Sequence, residues 1–231
     1  MGLQKTNIEW VFNPDGSRPG FSANPITGKC PVGCYYCYAE RIRKRFKRPE
    51  KIEFHPEVLE AIERRKKNAG IFMGSAFEMF DHNIKHVWIR SILDTVQRCP
   101  QHTFYFLTKK PMNYRLYSFH RNCWLGVTID CRPLFSERHF LTTYKWPQIF
   151  ISFEPLLKFD DSSLNLIPTV QWIIVGAMTK PGGQIDWEYA PKLEWLEGIR
   201  EKCFKNNIPL FEKDNLQKIV PSWELIQQKP F

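Results

Sequence analysis

Three cysteines crowd into a short segment near the N-terminal end of the chain. They are Cys30, Cys34 and Cys37, separated first by three residues and then by two. A loop this tight lets three thiolates converge on one small inorganic group while a fourth coordination position stays open. Pro31 fixes one φ angle and Gly33 tolerates left-handed conformations, so both help the loop to curl. Three protein ligands with one open position are typical of a catalytic metal site.

Two other interpretations of these cysteines compete with a catalytic cluster. A structural zinc ion would usually take two C-x-x-C pairs, or cysteines with closely spaced histidines, and the sequence has no second pair of that kind. Three unrelated core cysteines are the other alternative. The remaining cysteines lie in apolar or helical contexts, where we expect small core residues. They are Cys99, Cys123, Cys131 and Cys203.

Length and composition predict a single globular domain over residues 1–231. Hydrophobic residues make up 43% of the chain and charged residues 25%, which is ordinary for a folded protein. We expect an N-terminal extension with the first strand over 1–29 and a C-terminal tail over 216–231. The sequence shows no apolar run that could span a membrane and no secretory signal, and it has an odd number of cysteines. A reducing, cytoplasmic location is therefore expected.

Positive charge dominates the chain, with a formal net charge of +9. A dense basic segment runs from Arg41 to Arg48, directly after the cysteines, and a second basic run occupies 64–67. Such segments can follow a phosphate backbone, and the neighbouring aromatic residues could stack on bases. A solvated helix face is the alternative explanation. The sequence thus makes nucleic acid a candidate partner.

Short apolar runs alternate with helical patterns along the chain, and this order predicts an α/β fold. The apolar runs read as strands over 71–74, 103–107, 124–128, 149–153, 172–176 and 208–211. The helical patterns cover 38–47, 57–68, 83–99, 133–143 and 191–206. This alternation favours a partial or full β/α barrel, with an open doubly wound sheet as the alternative. In both folds the chemistry lies at the carboxyl ends of the strands.

The cysteine spacing, with aromatic Tyr36 just before the last cysteine, resembles the radical SAM superfamily. Further short motifs resemble its phage-type three-Cys-motif group (Gp37/Gp68), and the likeness covers about 7–215. These motifs lie at 7–10, 38–40, 107–111, 125–128, 152–157 and 174–176. The resemblance implies a partial (β/α)6-type barrel in a single domain, with the cluster loop after the first strand.

The same resemblance implies a radical SAM enzyme with a [4Fe–4S] cluster and S-adenosylmethionine as cofactors. Cys30, Cys34 and Cys37 would each bind one iron, and S-adenosylmethionine would chelate the fourth. An electron from a donor such as flavodoxin or ferredoxin would cleave the sulfonium reductively. The resulting 5′-deoxyadenosyl radical would abstract hydrogen from the substrate. The cofactor carries the difficult chemistry, and the protein positions and shields it.

Polar residues that follow the strands are candidates for the rest of the cofactor site. Ser75 and Glu78 stand where related enzymes carry a Gly-Gly-Glu element that holds the methionine amino group, although this chain departs from that pattern. Glu78 suits an ammonium group, but it could equally be a helix-start carboxylate. The other candidates are Tyr36 for the adenine, Lys109 for a carboxylate or phosphate, Thr128 at a strand end, Ser152 and Glu154 for the ribose hydroxyls, and Gly176 for close approach of the adenine.

Three functions therefore remain open from the sequence. The first is radical SAM chemistry on nucleic acid, as modification or repair. The second is the same chemistry on a small molecule, a peptide or a partner protein. The third is a non-catalytic iron–sulfur or zinc module that binds nucleic acid.

Overall fold

A computed structural model describes residues 2–220 and 224–231 of the chain. The chain divides into two compact units, Met1–Trp124 and Leu125–Phe231. The boundary falls inside one strand, so that strand begins in the first unit and ends in the second. No helix in the described part is both long enough and apolar enough to cross a membrane.

The first unit is built around short, mostly parallel strands. Strands β2, β5 and β6 run parallel in that order, and β1 joins the edge of β2 antiparallel. Strands β3 and β4 form a separate antiparallel pair. The strands are β1 (Gln4–Lys5), β2 (Phe21–Ala23), β3 (Ile26–Thr27), β4 (Glu53–Phe54), β5 (Gly70–Met73), β6 (Thr103–Thr108) and the beginning of β7 (Cys123–Thr128). The helices are α1 (Tyr38–Arg45), α2 (Pro56–Arg64), α3 (His86–Arg98) and a short 3-10 helix, Pro111–Leu116.

The core of this unit explains its parallel sheet. Every residue of β5 is buried, and α2 and α3 each bury an apolar stripe. Strands covered on both faces are typical of parallel sheets flanked by helices. Tyr105 lies deep in the core and donates its hydroxyl to the Phe12 carbonyl at 3.0 Å. A side chain on Gly70 would collide with that same carbonyl, so only glycine fits at the start of β5.

The second unit continues the parallel pattern with four strands, β7 to β10, in sequence order. Their carboxyl ends are in register, because Thr128 lies opposite Ser152 and Phe153 opposite Val175. The further strands are β8 (Ile149–Phe153), β9 (Trp172–Val175) and β10 (Leu210–Glu212). The helices are α4 (Phe135–Thr143), α5 (Asp161–Leu164), α6 (Leu193–Lys205) and the 3-10 helices Ile167–Thr169, Trp187–Tyr189 and Asp214–Lys218.

The predicted strands and long helices are all present, with shifted ends. Helix α2 ends at Arg64 rather than at residue 68, because Arg65 turns to extended backbone and stacks 4.0 Å over the Phe21 ring. Helix α1 ends at Arg45, two residues before its predicted end. The sequence did not predict the pair β3–β4 or the 3-10 helices, because such short elements have no hydrophobic periodicity. The predicted tail lies partly outside the described residues, at 221–223; after that gap, Glu212 N–H donates to the Ile226 carbonyl.

Candidate functional site

The cysteine loop follows β3 and leads directly into helix α1. Cys37 is the N-cap residue of that helix, and its Sγ accepts a hydrogen bond from the Glu40 N–H at 3.4 Å. The Cys37 N–H in turn donates to the Cys34 carbonyl at 3.1 Å. All three loop thiols are half-buried. The last two cysteines are therefore held by one tight turn and the helix start that follows it.

Cys30 lies against the turn that follows β5. Burial is the largest effect on this thiol and raises its pKa, while the backbone N–H groups of Val32 and Glu78 act in the opposite direction. The nearby Glu78 carboxylate and the Cys37 thiol add to the rise. N–H groups directed at sulfur favour a thiolate, and such hydrogen bonds tune cluster-bound sulfur. The two N–H groups are the neighbours of Cys30 that favour a thiolate, although burial outweighs them and the pKa of the thiol stays raised.

The carboxylate of Glu78 joins the turn after β5 to the end of β6. Its Oε1 accepts hydrogen bonds from the Thr108 hydroxyl at 2.6 Å and the Phe80 N–H at 3.1 Å. Its Oε2 accepts the Lys109 N–H at 2.7 Å. Burial raises the pKa of this carboxyl, and the three donors work against that rise. Glu78, predicted as an ammonium ligand, thus has protein hydrogen-bond partners on both oxygens.

Two further predicted residues meet close to this carboxylate. The Lys109 ammonium lies 5.6 Å from the centroid of the Tyr36 ring, a cation–π arrangement. Ser75 contacts the loop from the other side, because its carbonyl accepts the Tyr38 hydroxyl at 2.9 Å. The first unit therefore gathers the cysteine loop and its candidate partners around the ends of β5 and β6.

The donor set of the cysteine loop is compatible with an iron–sulfur cluster. Within residues 2–220 and 224–231, no three His, Cys, Asp or Glu side chains are arranged to hold one metal ion. In a four-iron cluster each thiolate binds a different iron, so the sulfurs need not approach a common point. Three half-buried thiols on one loop, one of them facing backbone N–H donors, are compatible with that arrangement.

A second polar cluster lies in the other unit, where β8 and β10 end. The Lys213 ammonium is 2.8 Å from Glu154 Oε1, and both side chains keep about a fifth of their surface exposed (22% and 18%). Ser152 is fully buried, and its hydroxyl donates to Glu154 Oε2 at 3.2 Å. Glu154 is thus fixed from two sides while it stays accessible. Thr128, in register with Ser152, is buried at the end of β7.

Gly176 lies directly beside this ion pair at the end of β9. A Cβ at this position would come within 2.8 Å of Lys213 Cδ and 3.3 Å of Glu154 Oε1. The next residue is clamped by Asn215, whose side chain bonds both the N–H and the carbonyl of Ala177, at 3.1 and 2.9 Å. Close packing, rather than a turn, explains this glycine.

The structure gathers the predicted residues into two groups, one in each unit. Cys30, Cys34, Cys37, Tyr36, Ser75, Glu78 and Lys109 belong to the first. Ser152, Glu154 and Gly176 belong to the second group. Thr128 lies opposite Ser152 on the neighbouring strand. Sequence reasoning missed three residues that complete these groups: Asn24, which bonds Ser75 and Ala76, together with Lys213 and Asn215. Lys213 and Asn215 follow a predicted strand, so the strand-end rule could have found them.

Comparisons with known proteins agree with this architecture. A family model described as "Protein of unknown function (DUF5131)" matches residues 5–219, so the chain belongs to that family. The search of curated proteins found no match. One similar solved structure is a spore photoproduct lyase variant with bound AdoMet and dinucleoside spore photoproduct. Its TM-score is 0.54 at 12% sequence identity, over 83% of this chain and 75% of that chain. This likeness confirms the predicted α/β fold with its mostly parallel sheet.

Proposed function

We propose that this DUF5131 member is a radical SAM enzyme in which Cys30, Cys34 and Cys37 hold a [4Fe–4S] cluster. The observation that carries the proposal is the Cys30 thiol, half-buried beside two backbone N–H groups in a loop with two further thiols. The fold supports it, since the chain is similar to a protein solved with bound AdoMet. Membership of the three-Cys-motif group is part of the same proposal.

When bound, the cluster and S-adenosylmethionine supply one-electron cleavage of a sulfonium and a radical that abstracts hydrogen. The chain's own residues hold and orient these groups. Glu78 fixes the turn that presents its N–H to Cys30, and it also fixes the backbone of Lys109. Lys109 supplies a positive charge beside Tyr36, suited to a carboxylate. Glu154, held by Lys213, supplies an accessible acceptor for ribose hydroxyls.

We further propose a nucleic acid as the substrate, for modification or repair. The net charge of +9 supports an acidic partner, and the similar solved structure holds a dinucleoside photoproduct. The reaction needs an electron donor such as flavodoxin or ferredoxin. A reducing, cytoplasmic compartment suits an odd number of cysteines in a chain that has three of them in one loop.

Anaerobic reconstitution with iron and sulfide, followed by reduction and addition of S-adenosylmethionine, tests the proposal. We expect 5′-deoxyadenosine to form in the wild-type protein and not in the Cys34→Ala variant. Cys203→Ala is the matched control, since Cys203 is buried in helix α6. A wild-type protein that carries a full cluster but forms no 5′-deoxyadenosine would contradict the enzymatic function and leave a binding module.

A further inference from the structure

Helix α1 differs from the other long helices because none of its residues is buried. Eight residues are too few to form a stable helix in water without tertiary support. Support comes from its ends: Cys37 caps the start, and Arg43 pairs with Glu40 at 2.7 Å and with Glu50 at 3.0 Å. Arg43 is therefore turned inward, with only 11% of its side chain exposed. The helix is held in place by polar contacts rather than by a buried apolar stripe.

The outer side of α1 and the turn after it carry a cationic and aromatic surface. Its members are Lys44, Arg45, Phe46, Lys47 and Arg48, all exposed; we call them the α1 surface. The segment 38–51 contains seven cationic residues and two carboxylates, a net charge of +5 out of the chain's +9. More than half of the net charge thus lies in one short segment directly after the cysteine loop.

Phe46 is the centre of this surface. Its side chain is 60% exposed, and the guanidinium groups of Arg45 and Arg48 lie 5.5 and 5.7 Å from its ring centroid. Lys47 has a left-handed backbone (φ 48°), which ends the helix and turns the chain back so that Arg48 lies beside the ring. An exposed aromatic ring with two cations close to it offers a stacking surface together with charges for phosphates.

We propose that the α1 surface binds single-stranded nucleic acid, with a base stacked on Phe46 and phosphates on Arg45 and Arg48. This inference rests on the proposed nucleic-acid substrate and assigns the contact to residues. A single strand is favoured over a duplex because Phe46 can stack only on an unpaired base. An acidic polypeptide could match the charges, but it offers no base for the ring.

Fluorescence anisotropy with a labelled single strand of about 20 nucleotides tests the surface, at salt concentrations between about 50 and 200 mM. The double variant Arg45→Gln/Arg48→Gln should bind more weakly and show a salt slope shallower by about 1.4, for two lost phosphate contacts. Phe46→Ala should weaken binding at least about fivefold and leave the salt slope unchanged. No buried contact is lost in these variants, so their thermal unfolding should match the wild type.

The matched control removes two charges elsewhere. Lys66→Gln/Lys67→Gln alters an exposed basic run after α2 and lowers the net charge by the same amount. It should leave affinity and salt slope close to wild type. The inference is overturned if this control weakens binding as much as Arg45→Gln/Arg48→Gln does, or if Phe46→Ala binds as tightly as wild type. Equal competition by poly-glutamate and by unlabelled single strand would also overturn it and assign the surface to an acidic polypeptide.

Failure of this inference can be told apart from failure of the proposed enzymatic function. The oligonucleotide is bound without reductant or S-adenosylmethionine, so binding does not depend on the radical chemistry. Formation of 5′-deoxyadenosine is measured separately, on the reconstituted wild-type protein without oligonucleotide. If the protein binds the oligonucleotide normally but never forms 5′-deoxyadenosine, the inference about the α1 surface stands and the proposed enzymatic function is refuted.

Discussion

The thiols of the cysteine loop and the thiols of the core lie in different surroundings. Cys30 is half-buried, and two backbone N–H groups counter the effect of burial on its pKa. Cys203 is buried in helix α6, where burial and the Glu212 charge raise its pKa to about 12. Cys123, on β7, also has a pKa raised to about 12 by burial. The contrast teaches that partial exposure separates the thiols of the cysteine loop from those of the core, since a backbone N–H also counters burial at Cys123.

The largest expected difference between the two regions is in cluster binding. Cys30→Ala should abolish the brown chromophore and all 5′-deoxyadenosine formation, because one iron loses its protein ligand. Cys203→Ala should keep both and lose only about 1 kcal/mol of stability, from a small cavity. Visible absorbance after anaerobic reconstitution measures the first effect, and chemical denaturation measures the second. Loss of the cluster in Cys203→Ala would show that the ligand set is incomplete.

A change at Glu78 tests the comparison between loop and core thiols, because the backbone N–H and the carboxylate of Glu78 both act on the Cys30 thiol. Glu78→Ala leaves the Phe80 and Lys109 N–H groups and the Thr108 hydroxyl without their acceptor. We expect a loss of about 3 kcal/mol in the free energy of unfolding and weaker cluster retention. Urea denaturation of the cluster-free protein isolates the first effect. Glu78→Gln, which keeps one acceptor oxygen, should lose less; equal losses would argue against the hydrogen-bonding role.

The pKa values of the core thiols predict a pH dependence. Their pKa rises from 9.0 to about 12 on folding, so the folded chain holds these protons more tightly than the unfolded chain. The resulting stability is complete below pH 9 and is lost as the pH rises from 9 to about 12. Cys203→Ala should flatten this loss in denaturation curves measured across that range. An unchanged pH profile would contradict the buried environment assigned to Cys203.

Alkylation by iodoacetamide offers a second view of the same thiols. Burial raises the pKa of the Cys203 thiol to about 12, so at pH 8 this thiol stays protonated and should remain unmodified in the folded protein. Cys131 is exposed and should react first. Peptide mass mapping after short exposures gives the order of modification.

The smallest effect on stability is expected for a change at Tyr38. Its hydroxyl ties the exit of the cysteine loop to the Ser75 carbonyl at 2.9 Å. Tyr38→Phe removes that bond from an exposed site, so we expect a loss of about 0.5–1 kcal/mol. Faster loss of the cluster in air, compared with wild type, would show that the tie stabilises the loop; Tyr144→Phe, in helix α4's C-cap, serves as the control.

The alternation of apolar runs and helical patterns predicted the strands from β5 onward, because fully buried strands such as β9 are continuous apolar runs in the sequence. The spacing of the cysteines predicted the loop, and the strand-end rule pointed to Glu78, Lys109 and Glu154. Sequence could not show that Glu78 accepts three protein hydrogen bonds, since its partners at the end of β6 are about 30 residues away along the chain. The Glu154–Lys213 ion pair could not be predicted either, because only the fold brings the end of β8 close to the end of β10.

The degree of exposure of each thiol also could not be predicted from the sequence. Cys131, predicted to be a core residue, is exposed, whereas Cys99, Cys123 and Cys203 are buried as expected. Cys131 lies in the loop between β7 and α4, where Arg132 pairs with the buried Asp130 at 2.7 Å. Apolar neighbours in the sequence do not determine exposure in a loop, because no periodicity sets which side faces the core.

Electron paramagnetic resonance of the reduced, reconstituted protein tests the central claim most directly, because it reports whether one iron lacks a protein ligand. We expect a cluster spectrum that changes when S-adenosylmethionine is added, since the cofactor would bind that open iron. A spectrum unaffected by S-adenosylmethionine, or no cluster signal at all, would contradict the account.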